Sequence, residues 1–199
     1  MPQLPPVTKA LLLICTAIFC VQMLFGPWVE VLLALWPLGS GHFMPWQLLS
    51  YAFLHGDPLH LFFNMLGLWM FGSEIEQIWG RRRYMQYLAA STITGAAMQL
   101  LIAPLLSAPA PTLGASGALF GLLLAFGVMF PERIVMPLFP PIPMKARYFV
   151  MVFGALELFF GLTSFDGIAH IAHLGGMLGG WLMIRYWRGQ PPFPPRRRF

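Results

Sequence analysis

The chain has 199 residues, of which 58% are hydrophobic and only 10% charged, a balance that excludes an ordinary soluble globular domain. Its net charge of +5 and the run Arg196–Arg198 are the marks of a basic surface. Next to so much apolar sequence they are read as topology signals touching anionic lipid, not as a nucleic-acid site.

A membrane-spanning helix needs about 20 apolar residues. Six such stretches are predicted, over residues 10–25, 58–78, 84–105, 115–130, 148–162 and 168–187. The alternation of a β-barrel is absent. The expectation is an all-α polytopic membrane protein: one domain over residues 1–199, with a short N-terminal segment of about residues 1–9 and a Pro/Arg-rich tail of about residues 188–199.

The first span has a weak basic end at Lys9, and no small-residue cleavage site follows it, so it is read as retained and not as a signal peptide. Cys15 and Cys20 lie five residues apart within it, on different helical faces, and are read as packing residues. Numbered from an internal N-terminus, every Lys and Arg falls on one side: Lys9, Arg81–Arg83, Arg133, Lys145, Arg147, Arg185, Arg188 and Arg196–Arg198. Under the positive-inside rule both termini are cytoplasmic, in what reads as a bacterial inner membrane.

The segment 26–57 carries Trp28, Trp36 and Trp46 and an apolar run over 29–36 that is too short to cross a bilayer. It is expected to lie in the outer interfacial zone and brace the bundle. Asp57-Pro58 supplies a helix cap and a first-turn proline to the second span, which places His60 in the first turn. The fourth span, about 16 residues long before Pro131 stops it, reaches about 24 Å against a hydrocarbon core of about 30 Å. With Pro131 and Arg133 at the cytoplasmic surface, its other end, bearing Ser116, is recessed. The uncharged, Pro-rich segment 107–112 precedes it.

Four polar residues interrupt apolar helices: His60, Asn64, Ser116 and His173. Each lies near the predicted external end of its span, at about one depth, and polar groups in lipid are costly and usually functional. His60 and Asn64, four residues apart, share a helical face and can aim two donors at one point, as an oxyanion hole requires. Gly117 and Gly121 follow the serine at Gly-x-x-x-Gly spacing on its helix, and Gly176 and Gly180 share the histidine's face. These glycines let the fourth and sixth helices approach closely, which brings Ser116 and His173 within reach as nucleophile and general base. No carboxylate is expected at that depth. Asp57 reads as a cap, Asp166 falls in the loop before the last span, and Glu157 in the fifth span reads as a group hydrogen-bonded within the bundle. Packing is therefore expected to orient His173.

Taken singly, a serine among membrane glycines is more often a packing residue. Together, His60-x-x-x-Asn64, Gly114-Ala-Ser116-Gly and Ala172-His173-x-x-Gly176-x-x-x-Gly180 resemble the rhomboid intramembrane proteases. Pro45-Trp46-Gln47, His55 five residues before His60, and Gly72-x-x-x-Glu76-x-x-x-Gly80 add to the likeness, which covers essentially the whole chain. It implies a six-helix rhomboid bundle and a serine endopeptidase of single-span membrane proteins cut near the external face, after local unwinding of the substrate helix. It further implies Ser116 as nucleophile and His173 as base, with His60, Asn64 and the Ser116 backbone N–H as oxyanion donors, and no metal or cofactor. By the same resemblance Glu76 helps fix the cytoplasmic loop, where Glu74 and Glu76 are expected to pair with Arg81–Arg83. Phe120 stands where some members carry a tyrosine stacked on the histidine, and it can still stack.

Other readings are weaker. His170 and His173, with His55 and His60, offer imidazoles for zinc, but no thiolate or suitable carboxylate is seen to join them. His-Glu-x-x-His and paired membrane aspartates are absent. A transporter or channel needs polar residues through both membrane halves, and these cluster in one. A noncatalytic rhomboid-like protein that binds membrane clients is the alternative within the family, although such members usually lack the Ser or His retained here. Which helix moves to admit substrate is not written in the sequence, although Phe159 and Phe160 make the fifth span a candidate gate. No oligomeric state or substrate sequence is written in the chain.

Overall fold

The computed structural model describes residues 4–106, 110–137, 141–163 and 169–194. Asp166, the tail Arg196–Arg198 and part of the segment 107–112 lie outside the described residues.

Helix α1 (Pro6–Phe25) begins four residues before the predicted span. The reason is a buried carboxylate. The opening N–H groups of a helix have no partner within it, and Glu76 accepts from Val7 N–H (2.9 Å), Thr8 N–H (2.7 Å) and Thr8 Oγ1 (2.8 Å). Gly26, at φ 49°, ends the helix. Cys15 faces inward, Cys20 faces outward, and both thiols are free.

The apolar run 29–36 divides between a short helix, α2 (Pro27–Leu33), and an extended turn in which Leu35 pairs antiparallel with Thr112. Its outer face is open, with Trp28 81% exposed. Gln47, fully buried at the start of α3 (Gln47–Ser50), holds this segment together. Its Oε1 accepts from Trp36 N–H and Met44 N–H (3.2 Å each), and its Nε2 donates to the His42 carbonyl (3.0 Å).

Asp57 caps α4 (Pro58–Gly67), accepting from His60 N–H at 2.8 Å with Pro58 in the first position. A π turn (Leu68–Gly72) leads into α5 (Ser73–Leu101), which is broken at Gly80 (φ 74°, ψ 163°). Only glycine adopts that backbone readily, so residues 58–79 and 81–101 form two rods where two spans were predicted. The second stops at Leu101, and a short turn (Ala103–Leu105) containing Pro104 follows. The remaining long helices are α6 (Ser116–Met129), α7 (Ala146–Thr163) and α8 (His170–Arg188). A two-stranded hairpin, β1 (Ile134–Val135) with β2 (Met144–Lys145), joins α6 to α7 and was not expected from the sequence. Glu132 beside it pairs with Lys145 and Arg147 (2.7 Å each), and the Lys145 hydrogen bond holds its carboxyl below the usual value.

The expected ionic loop at the Gly80 end is rearranged. Glu74 pairs with Arg133 instead, Glu76 is committed to α1, and Arg83 lies over the Trp187 ring at 5.8 Å.

Helix α8 packs against α5, α6 and α7, and the main core gathers Leu68, Ile75, Tyr84, Tyr87, Leu122 and Ile184. Helices α1 and α7 turn large apolar side chains outward, including Leu13, Met23, Leu24, Met151, Leu158 and Phe159. A contiguous apolar exterior of this kind requires a nonaqueous neighbour. Among the described residues three helical segments are long and apolar enough to cross a membrane: Pro6–Phe25, Pro58–Leu105 and Ala146–Thr163.

Candidate active site

Helix α6 has 14 residues, a length of about 21 Å against a hydrocarbon core of about 30 Å. Ser116 is its first residue, so the Ser116 N–H is one of the four that no intrahelical carbonyl satisfies. The Ser116 Oγ lies 2.7 Å from His173 Nε2, on the first turn of α8. The buried imidazole is stacked on Phe120, ring centroids 4.4 Å apart and planes within 10°.

Helices α6 and α8 meet where both lack side chains. A Cβ on Gly176 would run into the Gly117 carbonyl, and one on Gly117 would stand 3.3 Å from the Ala172 carbonyl. The expected glycine-to-glycine contact is thus centred on this pair. Gly121 instead accommodates Ser91 of α5 as well as Gly176, and Gly180 accommodates Tyr87 of α5, whose hydroxyl donates to the Gly121 carbonyl at 2.6 Å.

His60 comes to the same place from α4. A Cβ on Gly114 would lie 2.8 Å from His60 Nε2 and 3.5 Å from Ser116 Oγ, and Gly114 has φ 128°. Its position is fixed by its N–H, which donates to the Tyr51 carbonyl at 2.9 Å. The Gly56 N–H donates to His60 Nδ1 at 3.4 Å, and a neutral ring accepting there carries its proton on Nε2, the nitrogen beside Gly114. Asn64 is buried one turn further along, its Nδ2 donating to the His60 carbonyl at 2.9 Å and its Oδ1 without a partner among the described residues. The second Nδ2 hydrogen remains to be donated elsewhere. His55 is 1% exposed and meets the His60 ring edge to face at 5.2 Å. Burial first, and the neighbouring His60 second, push its pKa down to about 4, so it buttresses His60 as a neutral ring.

The expectation that no carboxylate reaches this depth is wrong. Glu157 Oε2 lies 2.8 Å from His173 Nδ1 and 2.7 Å from His170 Nδ1. A carboxylate therefore does join the imidazoles that could be offered to zinc, since ligand atoms of Glu157, His170 and His173 lie within 4.8 Å of one another. The distances themselves argue for protons. Ligands about 2.0–2.2 Å from a tetrahedral zinc stand about 3.3–3.6 Å apart, whereas these nitrogens contact the oxygen at hydrogen-bond length. The signal available in the sequence was a lone carboxylate inside an apolar helix, but its partner is set by the rotation of α7 against α8.

An outward-facing apolar exterior, helices of membrane-crossing length and a half-buried serine against a buried histidine define a helical membrane protein with a polar site inside the bundle. The chain belongs to the rhomboid family: the sequence model described as Rhomboid domain matches residues 42–189. It is 28% identical to rhomboid protease GlpG of Yersinia pestis (strain Pestoides F) over 191 residues, 93% of this chain and 63% of that protein. It is 32% identical over 138 residues to the mitochondrial rhomboid protein 1 of Saccharomyces cerevisiae, covering 68% of this chain and 40% of the relative. With rhomboid protease GluP of Bacillus subtilis (strain 168) it shares 31% over 138 residues, 68% of this chain and 25% of the relative. The chain thus spans less than two thirds of the length of these relatives.

Proposed function

We propose that the protein is an intramembrane serine endopeptidase that cleaves single-span membrane proteins near the external face of the bilayer. The observation that carries this reading is the 2.7 Å contact between Ser116 Oγ and His173 Nε2 at the recessed end of a helix too short to cross. The relatives named rhomboid proteases GlpG and GluP support the same class of chemistry. In this reading six spans form one domain over residues 1–199, with both termini in the cytoplasm of a bacterium and the site opening to the periplasmic side.

His173 takes the Ser116 proton as Oγ attacks the scissile carbonyl carbon, and later gives it to the leaving amine. The tetrahedral oxyanion forms beside the Ser116 N–H, His60 Nε2–H and the free Nδ2 hydrogen of Asn64, donors fixed before substrate arrives. Gly114, Gly117, Gly121, Gly176 and Gly180 supply the close approach, Phe120 holds the imidazole plane, and His55 supports His60. Every step is served by side chains and backbone, so the mechanism calls on no metal or cofactor.

The test is cleavage of a labelled single-span substrate in liposomes, comparing the unmodified protein with Ser116→Ala and His173→Ala at equal folded amount. Each variant is expected to lose at least about a thousandfold in rate. An unmodified protein that is inert across several substrates, and unreactive with a serine-directed phosphonate, would replace this reading with noncatalytic binding of membrane clients.

A further inference from the structure

We propose that Glu157 is a positioning residue that extends the Ser116–His173 pair into a Ser-His-Glu relay, with His170 holding the carboxylate in place. The proposal rests on the protease reading above and deepens it.

The three groups stand in series. Ser116 Oγ lies 2.7 Å from one nitrogen of His173, Nε2, and Glu157 Oε2 lies 2.8 Å from the other, Nδ1. An ionised carboxylate only accepts hydrogen bonds, so the proton of a neutral His173 must sit on Nδ1, which leaves the Nε2 lone pair facing the serine. Phe120 cannot make that choice, because a ring stacked face to face is indifferent to which nitrogen bears the proton. His170 Nδ1 donates to the same oxygen at 2.7 Å, a second tether on the glutamate rotamer. The site is dry enough for these contacts to matter: the side chains of Glu157, His170 and His173 are 13%, 7% and 8% exposed.

As the Oγ–carbon bond forms, the hydroxyl proton passes to Nε2 and the carbonyl electron pair moves to oxygen. The resulting imidazolium lies between serine and carboxylate, and Glu157 stabilises that charge without taking the proton. Nε2–H then protonates the amine nitrogen as the carbon–nitrogen bond breaks, leaving an acyl ester on Ser116. A water gives its proton to Nε2 as its oxygen bonds to the acyl carbon, and Nε2–H returns that proton to Oγ as the carbon–Oγ bond breaks and the carboxylic acid product leaves.

The experiment uses the full chain in liposomes for kinetics and in micelles, labelled with 15N-histidine, for proton NMR. Glu157→Gln is expected to lower kcat by about 10²–10⁴-fold, as mis-set tautomers do, with KM within about twofold and an unchanged melting temperature. Phosphonate labelling of Ser116 should slow in parallel. A far-downfield Nδ1 proton, present in the unmodified protein and retained in Ser116→Ala, should vanish in Glu157→Gln. Glu157→Asp, which keeps the charge on a shorter stem, should show an intermediate kcat and a displaced resonance, and it carries the test if the glutamine variant does not fold. Two outcomes overturn the relay: a Glu157→Gln kcat within about threefold of normal while Ser116→Ala is dead, or an Nδ1 resonance that neither substitution moves. An unmodified protein that neither cleaves nor labels instead removes the protease reading, and the relay with it.

Discussion

At Gly114 two constraints meet, and they can be separated by experiment. The residue has φ 128°, and a Cβ there would press on His60 Nε2 at 2.8 Å. Left-handed backbone costs an L-residue about 1–2 kcal/mol, a strain the bundle can carry, but displacing His60 alters the edge of the site. Gly114→Ala is therefore expected to reduce kcat by at least about tenfold, with a melting temperature in micelles only a few degrees lower. Gly176→Ala should behave in the opposite order. Its methyl group would collide with the Gly117 carbonyl, so the α6–α8 contact must open, and stability should fall before any kinetic effect can be assigned. Equal loss of stability in both variants would show that Gly114 serves packing alone. Residue identity and spacing made Ser116, His173, His60 and Asn64 legible as a set, because each is polar in an apolar helix. Glu157 was visible by the same criterion but could not be assigned to His173. Sequence spacing of 16 residues across a helix–helix junction says nothing of how α7 is rotated, and rotation decides whether the carboxylate faces α8 or lipid.

Helices obey a similar division. Apolar runs located the long helices to within a few residues because an apolar stretch of that length and composition favours a continuous rod. What escaped was whatever depends on a partner from elsewhere in the chain: the early start of α1, the π turn at Leu68–Gly72, and the short β1–β2 hairpin. The start of α1 illustrates the cause. Pro6, Val7 and Thr8 are poor evidence of a membrane helix in isolation, and they are helical because Glu76 of α5 satisfies the first N–H groups. Glu76 is 3% exposed and also accepts from the Thr8 hydroxyl. Hydrogen bonds to a charged acceptor contribute about 1.5–3 kcal/mol, so Glu76→Ala should lower stability by several kcal/mol and speed proteolysis near the start of α1. Thr8→Val, which removes the hydroxyl's contacts with Glu76 (2.8 Å) and Tyr84 (3.4 Å) and leaves both N–H contacts, should cost about 1–3 kcal/mol. If Glu76→Ala unfolds no earlier than the unmodified protein, the carboxylate does not clasp α1.

For the whole molecule, charge and shape point the same way. Arg83, Arg133, Lys145, Arg147, Arg185 and Arg188 gather toward one end of the bundle, through the Glu74–Arg133 and Glu132 ion pairs and the Arg83–Trp187 contact. Ser116 begins α6 at the other end, beyond the helix whose following turn carries Arg133. If the basic end is cytoplasmic, the site opens outward, as the positive-inside rule demands. Single cysteines in a background where Cys15 and Cys20 are replaced by alanine offer a direct measurement. Ser40→Cys, in the exposed turn after α2, should react with a membrane-impermeant maleimide in intact spheroplasts. Gln190→Cys, just past the end of α8, should react only after lysis. The reverse pattern would place the serine on the cytoplasmic side and require substrates to be cut at their inner ends. Labelling of both positions before lysis would mean that the chain does not cross the membrane an odd number of times between residues 40 and 190. The location of the two termini would then have to be set by something other than arginine, since no Lys or Arg lies in the segment 26–57.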